Sequence, residues 1–153
     1  VETIKRNFDF YEPRTVHESS LSPCVHSILA AKIGKTEKAY EMYLRTSRLD
    51  IDDYNHEAHE GLHITSMAGT WMSIVEGFGG KRVYDGKLLL NPVIPSQWKE
   101  YAFRLTFLNN DLEVIVSSKQ VEVVSHATDV IELSVYGETI NIEPGQSSIV
   151  KVK

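Results

Sequence analysis

The sequence holds a single cysteine, Cys24, among 153 residues. One thiol excludes an internal disulfide and agrees with a reducing compartment. Cys24 lies in an apolar stretch, where a thiol packs as an inert group rather than acting as a nucleophile. No apolar run approaches the roughly 18 residues needed to span a bilayer, and no stretch has the pattern of a secretory leader. No membrane partner and a cytoplasmic location are the expectation. Basic charge is also in short supply: 16 Lys and Arg stand against 21 Asp and Glu, a net charge of −5. A nucleic-acid partner needs clustered cations, so none is expected. Repeats and low-complexity segments are absent. So is an initiator Met: the chain opens on Val1, and its first residues read as the interior of a longer polypeptide. A fragment lacking part of its site is the expectation.

What is present suffices for a core. Hydrophobic residues make up 42% of the chain and charged residues 24%, the balance of an ordinary globular protein. The length suits one domain or two small halves. Phe8, Phe10 and Tyr11 form an aromatic cluster expected to pack on the helices that follow. Ser22 can serve as an N-cap and Pro23 as the first residue of a helix over 22–33, ended by Gly34. Thr36 is placed to cap a second helix, 37–48, whose apolar positions Ala39, Met42, Tyr43 and Leu44 recur at helical spacing. A third helix, 63–75, is apolar on most sides and is expected to be buried, with Trp71, Met67 and Met72 in the core. Beyond Gly80 the period changes. Tyr101, Phe103, Leu105 and Phe107 alternate with polar or small residues, as do Leu112, Val114 and Val116. Shorter strands are predicted near 120–125, 131–135, 138–142 and 147–152, with turns at Asn109-Asn110-Asp111, Tyr136-Gly137 and Pro144-Gly145. The fold class is α+β. Helices fill residues 1–85, and a small antiparallel β-sandwich with Trp98 as an anchor fills 86–153.

The chemistry centres on His17-Glu18-Ser19-Ser20, just before the first confident helix. Hydroxyls and an imidazole beside the free N–H groups of a helix N-terminus suit an anion such as phosphate. Alone, the stretch reads first as a capped helix with spare serines. Helix direction adds to it. Helices 22–33 and 63–75 are separated by one antiparallel helix, so their N-termini share a face. That face would gather Ser19, Ser20, His17 and His63.

Other residues have plainer readings. His56, His59 and His63, flanked by Glu57 and Glu60, depart from the helical zinc spacing, and no metal site is assigned. Glu57 and Glu60 read as solvated loop charges before they read as a general base. His26 falls among apolar residues and reads as a core histidine.

The stretch Asn7-Phe-Asp-Phe-Tyr-Glu-Pro-Arg-Thr-Val-His-Glu-Ser-Ser-Leu-Ser22 resembles the C-terminal end of glycoside hydrolase family 65 disaccharide phosphorylases. So do Glu60-Gly-Leu-His-Ile64, Gly69-Thr-Trp71, Glu76-Gly-Phe-Gly-Gly80 and Leu90-Asn-Pro92. The family includes maltose, kojibiose and trehalose phosphorylases. The resemblance implies the last helices of an (α/α)6 barrel followed by the C-terminal β-domain. It implies inverting phosphorolysis of an α-glucosidic disaccharide to β-glucose 1-phosphate and glucose, with inorganic phosphate as co-substrate and no cofactor. It places Ser19, Ser20 and His63 in the phosphate region, with His17 as a contact or orienter. Glu18 stands where the family more often has Asp. The family's general acid is a glutamate well upstream, with no counterpart here, and its upstream phosphate-site lysine is not carried over to Lys5. The resemblance therefore implies no catalytic residue in this chain, no activity of the chain alone, and a homodimer for the full-length protein. A hydrolase of the same family, which would need a carboxylate base, is the alternative enzyme. A non-catalytic sandwich over 86–153 is the alternative of another class.

Overall fold

The computed structural model describes residues 1–152. The chain divides into two units, one from Val1 to Phe78 and one from Gly79 onward. Residues 79–85, assigned to the helical half from sequence, thus fall in the second unit, because Arg82–Tyr84 is a strand paired with Lys87–Leu90.

The first unit begins with a helix that the sequence did not reveal, α1 (Glu2–Tyr11), followed by one 3-10 turn over Glu12–Arg14 at Pro13. Of its aromatics only Phe8 is buried; Phe10 and Tyr11 face solvent and pack on each other edge to face. Next come α2 (Ser22–Lys32), α3 (Thr36–Ser47) and α4 (Ile64–Met72), the last continuing into a π-helical segment over Ser73–Phe78. Neither Ser22 nor Thr36 caps: the cap positions belong to Leu21 and Lys35, without side-chain hydrogen bonds.

Hydroxyl-to-carbonyl bonds stitch the helices together. Ser27 Oγ donates to the Ala39 carbonyl at 2.9 Å, and Ser66 Oγ to the Thr46 carbonyl at 2.7 Å. The second bond joins the start of α4 to the end of α3, so these two are antiparallel. Thr65 meets Ser20, Gly69 meets Cys24 and Gly77 meets Ile28. Sequence number rises together on both sides, so α2 and α4 run the same way, as expected for two helices separated by one antiparallel helix. A Cβ on Gly69 would lie 2.9 Å from Cys24 Cβ, so only glycine permits this approach.

Packing inverts the expectation for α4. Its small residues Ser66 and Gly69 are buried, and Ser73 is buried in the π-helical segment that continues it. Its large apolar residues are not: Ile64 is 67% exposed and Trp71 52%, with Met67 and Met72 also exposed. The inner surface of α4 is the small-residue stripe that lets its backbone approach α2. The apolar stripe faces outward because no other described element of the helical unit covers it.

Among the described residues the second unit holds eight strands in two sheets. One has the order β1 (Arg82–Tyr84), β2 (Lys87–Leu90), β6 (Ile131–Val135), β7 (Glu138–Ile142). The other runs β3 (Glu100–Phe107), β4 (Asn110–Ser117), β5 (Gln120–Ser125), β8 (Ser147–Lys151). All pairings are antiparallel except β2 with β6, which sets Leu88 beside Leu133 and Leu90 beside Val135. Alternate residues form the core: Leu88, Leu90, Leu133, Val135 and Ile142 from the first sheet, and Leu112, Val114, Val116, Val121 and Val123 from the second. The period-2 patterns found these strands. The β1–β2 hairpin was missed although Asp85-Gly86, both at positive φ (51° and 72°), is a strong two-residue turn signal. The turn placed at Asn109-Asn110-Asp111 falls one residue earlier, at Leu108-Asn109, with Asn110 already in β4. Trp98 is half-buried, with its ring 5.5 Å from that of Tyr101. The fold is the end of a helical barrel followed by a β-sandwich.

Candidate functional site

The serine loop is fixed to the body of the helical unit at several points. Arg45 on α3 donates Nη2 to the His17 carbonyl at 2.5 Å, and its guanidinium lies over the Tyr54 ring, 5.1 Å from the centroid. Asn55 Nδ2 donates to the Glu18 carbonyl at 2.7 Å. Ser19 Oγ accepts from the Leu21 backbone N–H at 3.3 Å. Ser20 Oγ and Thr65 Oγ1 share a hydrogen bond of 3.0 Å. Thr65 is the second residue of α4, so the loop abuts the first turn of that helix. The structure thus brings Ser20 to the helix start that His63 heads.

His63 occupies the cap position of α4. Its backbone N–H donates to Asp50 Oδ2 at 2.9 Å, and its ring Nδ1 donates to Asp50 Oδ1 at 2.5 Å. One carboxylate therefore holds both the backbone and the side chain of this residue. Nε2 lies 3.7 Å from Glu57 Oε2 and carries no shorter ion pair among the described residues. The hydrogen bond to Asp50 raises the His63 pKa above that of an ordinary imidazole, with smaller contributions from the Asp50, Glu57 and Glu60 charges. The same bonds lower the Asp50 carboxyl. The sign follows by linkage. The His63 contribution to stability is complete below the ordinary value of about 6.5 and fades as pH rises through the raised midpoint. The Asp50 contribution is present above the ordinary carboxylate range and is lost as pH falls through the lowered one.

His17 turns the other way. Its side chain is 8% exposed, with Nδ1 2.9 Å from Ser22 Oγ and the ring edge-on to His26 at 4.6 Å. Ser22 is the first residue of α2, with Leu21 at the cap position, and its hydroxyl is turned to His17. Burial lowers the His17 pKa, and the nearby His26 and Arg45 lower it further against the pull of Glu12. The ring is a neutral brace behind the loop, not a donor presented to solvent. His26 donates Nδ1 to the Ser22 carbonyl at 2.9 Å and is half-buried.

His56 and His59 project into solvent, 91% and 76% exposed. Among the described residues no group of three or more His, Cys, Asp or Glu is placed to hold a metal ion. Cys24 is buried, and burial pushes its thiol pKa up. No helix among the described residues is long and apolar enough to cross a membrane.

Asp50, Thr65, Arg45 and Asn55 were not singled out in the sequence. Asp50 lies 13 residues from His63 in a polar irregular stretch, where no periodicity links the two. Thr65 could have been found: it is the second residue of the helix that His63 heads, so any loop meeting that helix end meets its side chain.

The helical unit, in which the serine loop meets the helix start that His63 heads, is followed in sequence by a small β-domain. Residues 1–72 match the glycosyl hydrolase family 65 central catalytic domain, and residues 82–142 match the family 65 C-terminal domain. The chain belongs to glycosyl hydrolase family 65. It is 47% identical over 143 residues to a maltose phosphorylase of Bacillus subtilis, covering 94% of this chain and 19% of that protein. It is 40% identical to an alpha,alpha-trehalose phosphorylase of Thermoanaerobacter brockii, again over 95% of this chain and 19% of the relative. A solved structure of a human-microbiome protein assigned as a kojibiose phosphorylase superposes with a TM-score of 0.90 at 40% identity, covering 98% of this chain and 22% of that one. The chain thus spans about a fifth of the length of these relatives.

Proposed function

We propose that this chain supplies part of the phosphate-binding face of an inverting disaccharide phosphorylase, with maltose as the disaccharide. In this reading phosphate attacks the anomeric carbon of an α-glucoside opposite the leaving oxygen. A glutamate outside this chain protonates that oxygen. The C–O bond to the second sugar breaks as the C–O bond to phosphate forms, giving β-glucose 1-phosphate and glucose. Phosphate is already an anion, so the site needs donors that position it and stabilise charge, not a general base. Ser19, Ser20 and His63 are the donors in this chain, and His17 braces the loop from behind. Phosphate serves as co-substrate and no cofactor is needed. A homodimeric full-length protein and a cytoplasmic location belong to the same reading.

The observation that carries the proposal is the Ser20–Thr65 hydrogen bond, 3.0 Å long. It sets the serine loop against the helix start whose cap residue is His63. The relatives named above are phosphorylases, which supports the reaction class, and the 47% identity to a maltose phosphorylase supports the choice of disaccharide.

The test is a phosphate titration of Ser19→Ala, Ser20→Ala and His63→Ala in the full-length enzyme. Each lost charge-assisted donor is worth roughly 1.5–3 kcal/mol, so the KM for phosphate should rise about 10-fold or more, while the KM for the disaccharide changes far less. Unchanged phosphate affinity in all three variants contradicts the proposal.

A further inference from the structure

We infer that Asp50 is a positioning residue of this phosphate site, acting through His63. The inference rests on the reading of His63 as a phosphate donor. Asp50 itself has no part in binding: an anionic carboxylate would repel phosphate. Its two oxygens are instead directed at His63, one on the backbone N–H at 2.9 Å and one on ring Nδ1 at 2.5 Å.

That arrangement has three consequences for an anion. The Nδ1 bond fixes which ring nitrogen faces the carboxylate and leaves Nε2 as the outward nitrogen, a donor when the ring is protonated. The backbone bond anchors His63 at the residue from which α4 starts, so ring and helix N-terminus are held as one piece. The Asp50 hydrogen bond and the nearby negative charges favour the protonated ring over the neutral one, and the protonated ring is the form that donates from Nε2 to an oxyanion. Asp50 and Glu57 face the ring directly, and Glu60 adds a weaker charge. Among the described residues, Asp50 alone holds the ring by a short hydrogen bond. Glu57, 3.7 Å from Nε2 and 45% exposed, is free to swing away when phosphate takes its place.

The pattern joins residues 13 apart through the irregular segment 51–62. The loop therefore has a function beyond connecting α3 to α4: it returns the chain so that Asp50 can reach the residue heading the next helix.

The variants are Asp50→Asn and Asp50→Glu, measured beside His63→Ala in the full-length enzyme. In Asp50→Asn the amide keeps the shape but not the charge. The KM for phosphate at pH 7.5 should rise about 10-fold, by the loss of one charge-assisted bond, with kcat and the disaccharide KM changing less. The ratio of mutant to parent KM should shrink as pH falls toward 6, because the weakened His63 is reprotonated there; phosphate's own titration cancels in the ratio. Asp50→Glu, which keeps the charge, should recover part of the loss. NMR titration of the unsubstituted chain supplies a readout independent of any variant's folding: the His63 midpoint should lie above 6.5, with Nδ1 protonated. A phosphate KM within twofold of the parent in Asp50→Asn, alongside a large rise in His63→Ala, overturns the positioning role and leaves the site intact. No change in either variant overturns the site reading and this inference with it. A His63 midpoint at or below 6.5 overturns the inference by itself.

Discussion

Gly80→Ala is expected to destabilise the β-unit by about 3 kcal/mol or more. Two costs add at this position. Its φ of 58° lies in the left-handed region, where an L-side chain costs about 1–2 kcal/mol. An added Cβ would also press into the carbonyl of Asn91, with the carbonyl carbon 2.7 Å away and the Asn91 nitrogen at 3.0 Å. The obstacle is backbone, which cannot rotate aside as a side chain can, so overpacking contributes about 1–3 kcal/mol more. Asn91 follows β2 directly, so relief would come only by moving the end of a strand paired to β6. Denaturant unfolding of the chain measures the loss. A change below about 1 kcal/mol would show that the Gly80–Asn91 approach is slack.

Phe78→Ala should cost the helical unit a similar amount, about 3–5 kcal/mol. Phe78 ends the π-helical segment and is completely buried, its ring edge-on to Tyr43 at 5.9 Å. Removing the ring leaves a cavity that the neighbours fill only partly. Gly77 packs against the Ile28 backbone, with 3.5 Å between an added Cβ and the Ile28 Cα, which limits how far the segment can collapse. Against a typical total of 5–15 kcal/mol the loss is large. Denaturant unfolding reads it, and a cost below 1 kcal/mol would mean that the site repacks freely.

The β-half was legible because half-buried strands carry their own signature. Leu112, Val114 and Val116 point one way whatever lies beyond them, and Val121 and Val123 continue the pattern across the sheet. The helical half was legible only in part. Its helix directions were expected from the short loop between the first two helices and the alternation of the third, and the Cys24–Gly69 and Ser20–Thr65 contacts agree with them. The burial of α4 was not legible. An apolar run does not say which of its residues are covered within the same chain, and Ile64 and Trp71 face solvent here. Helix α1 was hidden because only Phe8 of its aromatic residues is buried, which leaves no apolar period to read.

The same contrast holds at the site. Ser19, Ser20 and His63 stood out as residue types suited to an anion beside helix starts. His17 stood out for the same reason, yet its ring serves the interior, paired with Ser22 and His26. Asp50 was invisible because its link to His63 is a tertiary contact across an irregular loop. Residue type suggested where an anion could bind; the fold adds that the His17 ring is buried and that Asp50 bonds both the backbone and the ring of His63.

The decisive measurement is product analysis of the full-length enzyme given maltose with and without inorganic phosphate, the anomer assigned by NMR. Phosphorolysis as proposed yields β-glucose 1-phosphate and glucose in equal amounts, only when phosphate is present, and none from this chain alone. Glucose released at the same rate without phosphate, an α-anomer, or turnover by this chain by itself would contradict it.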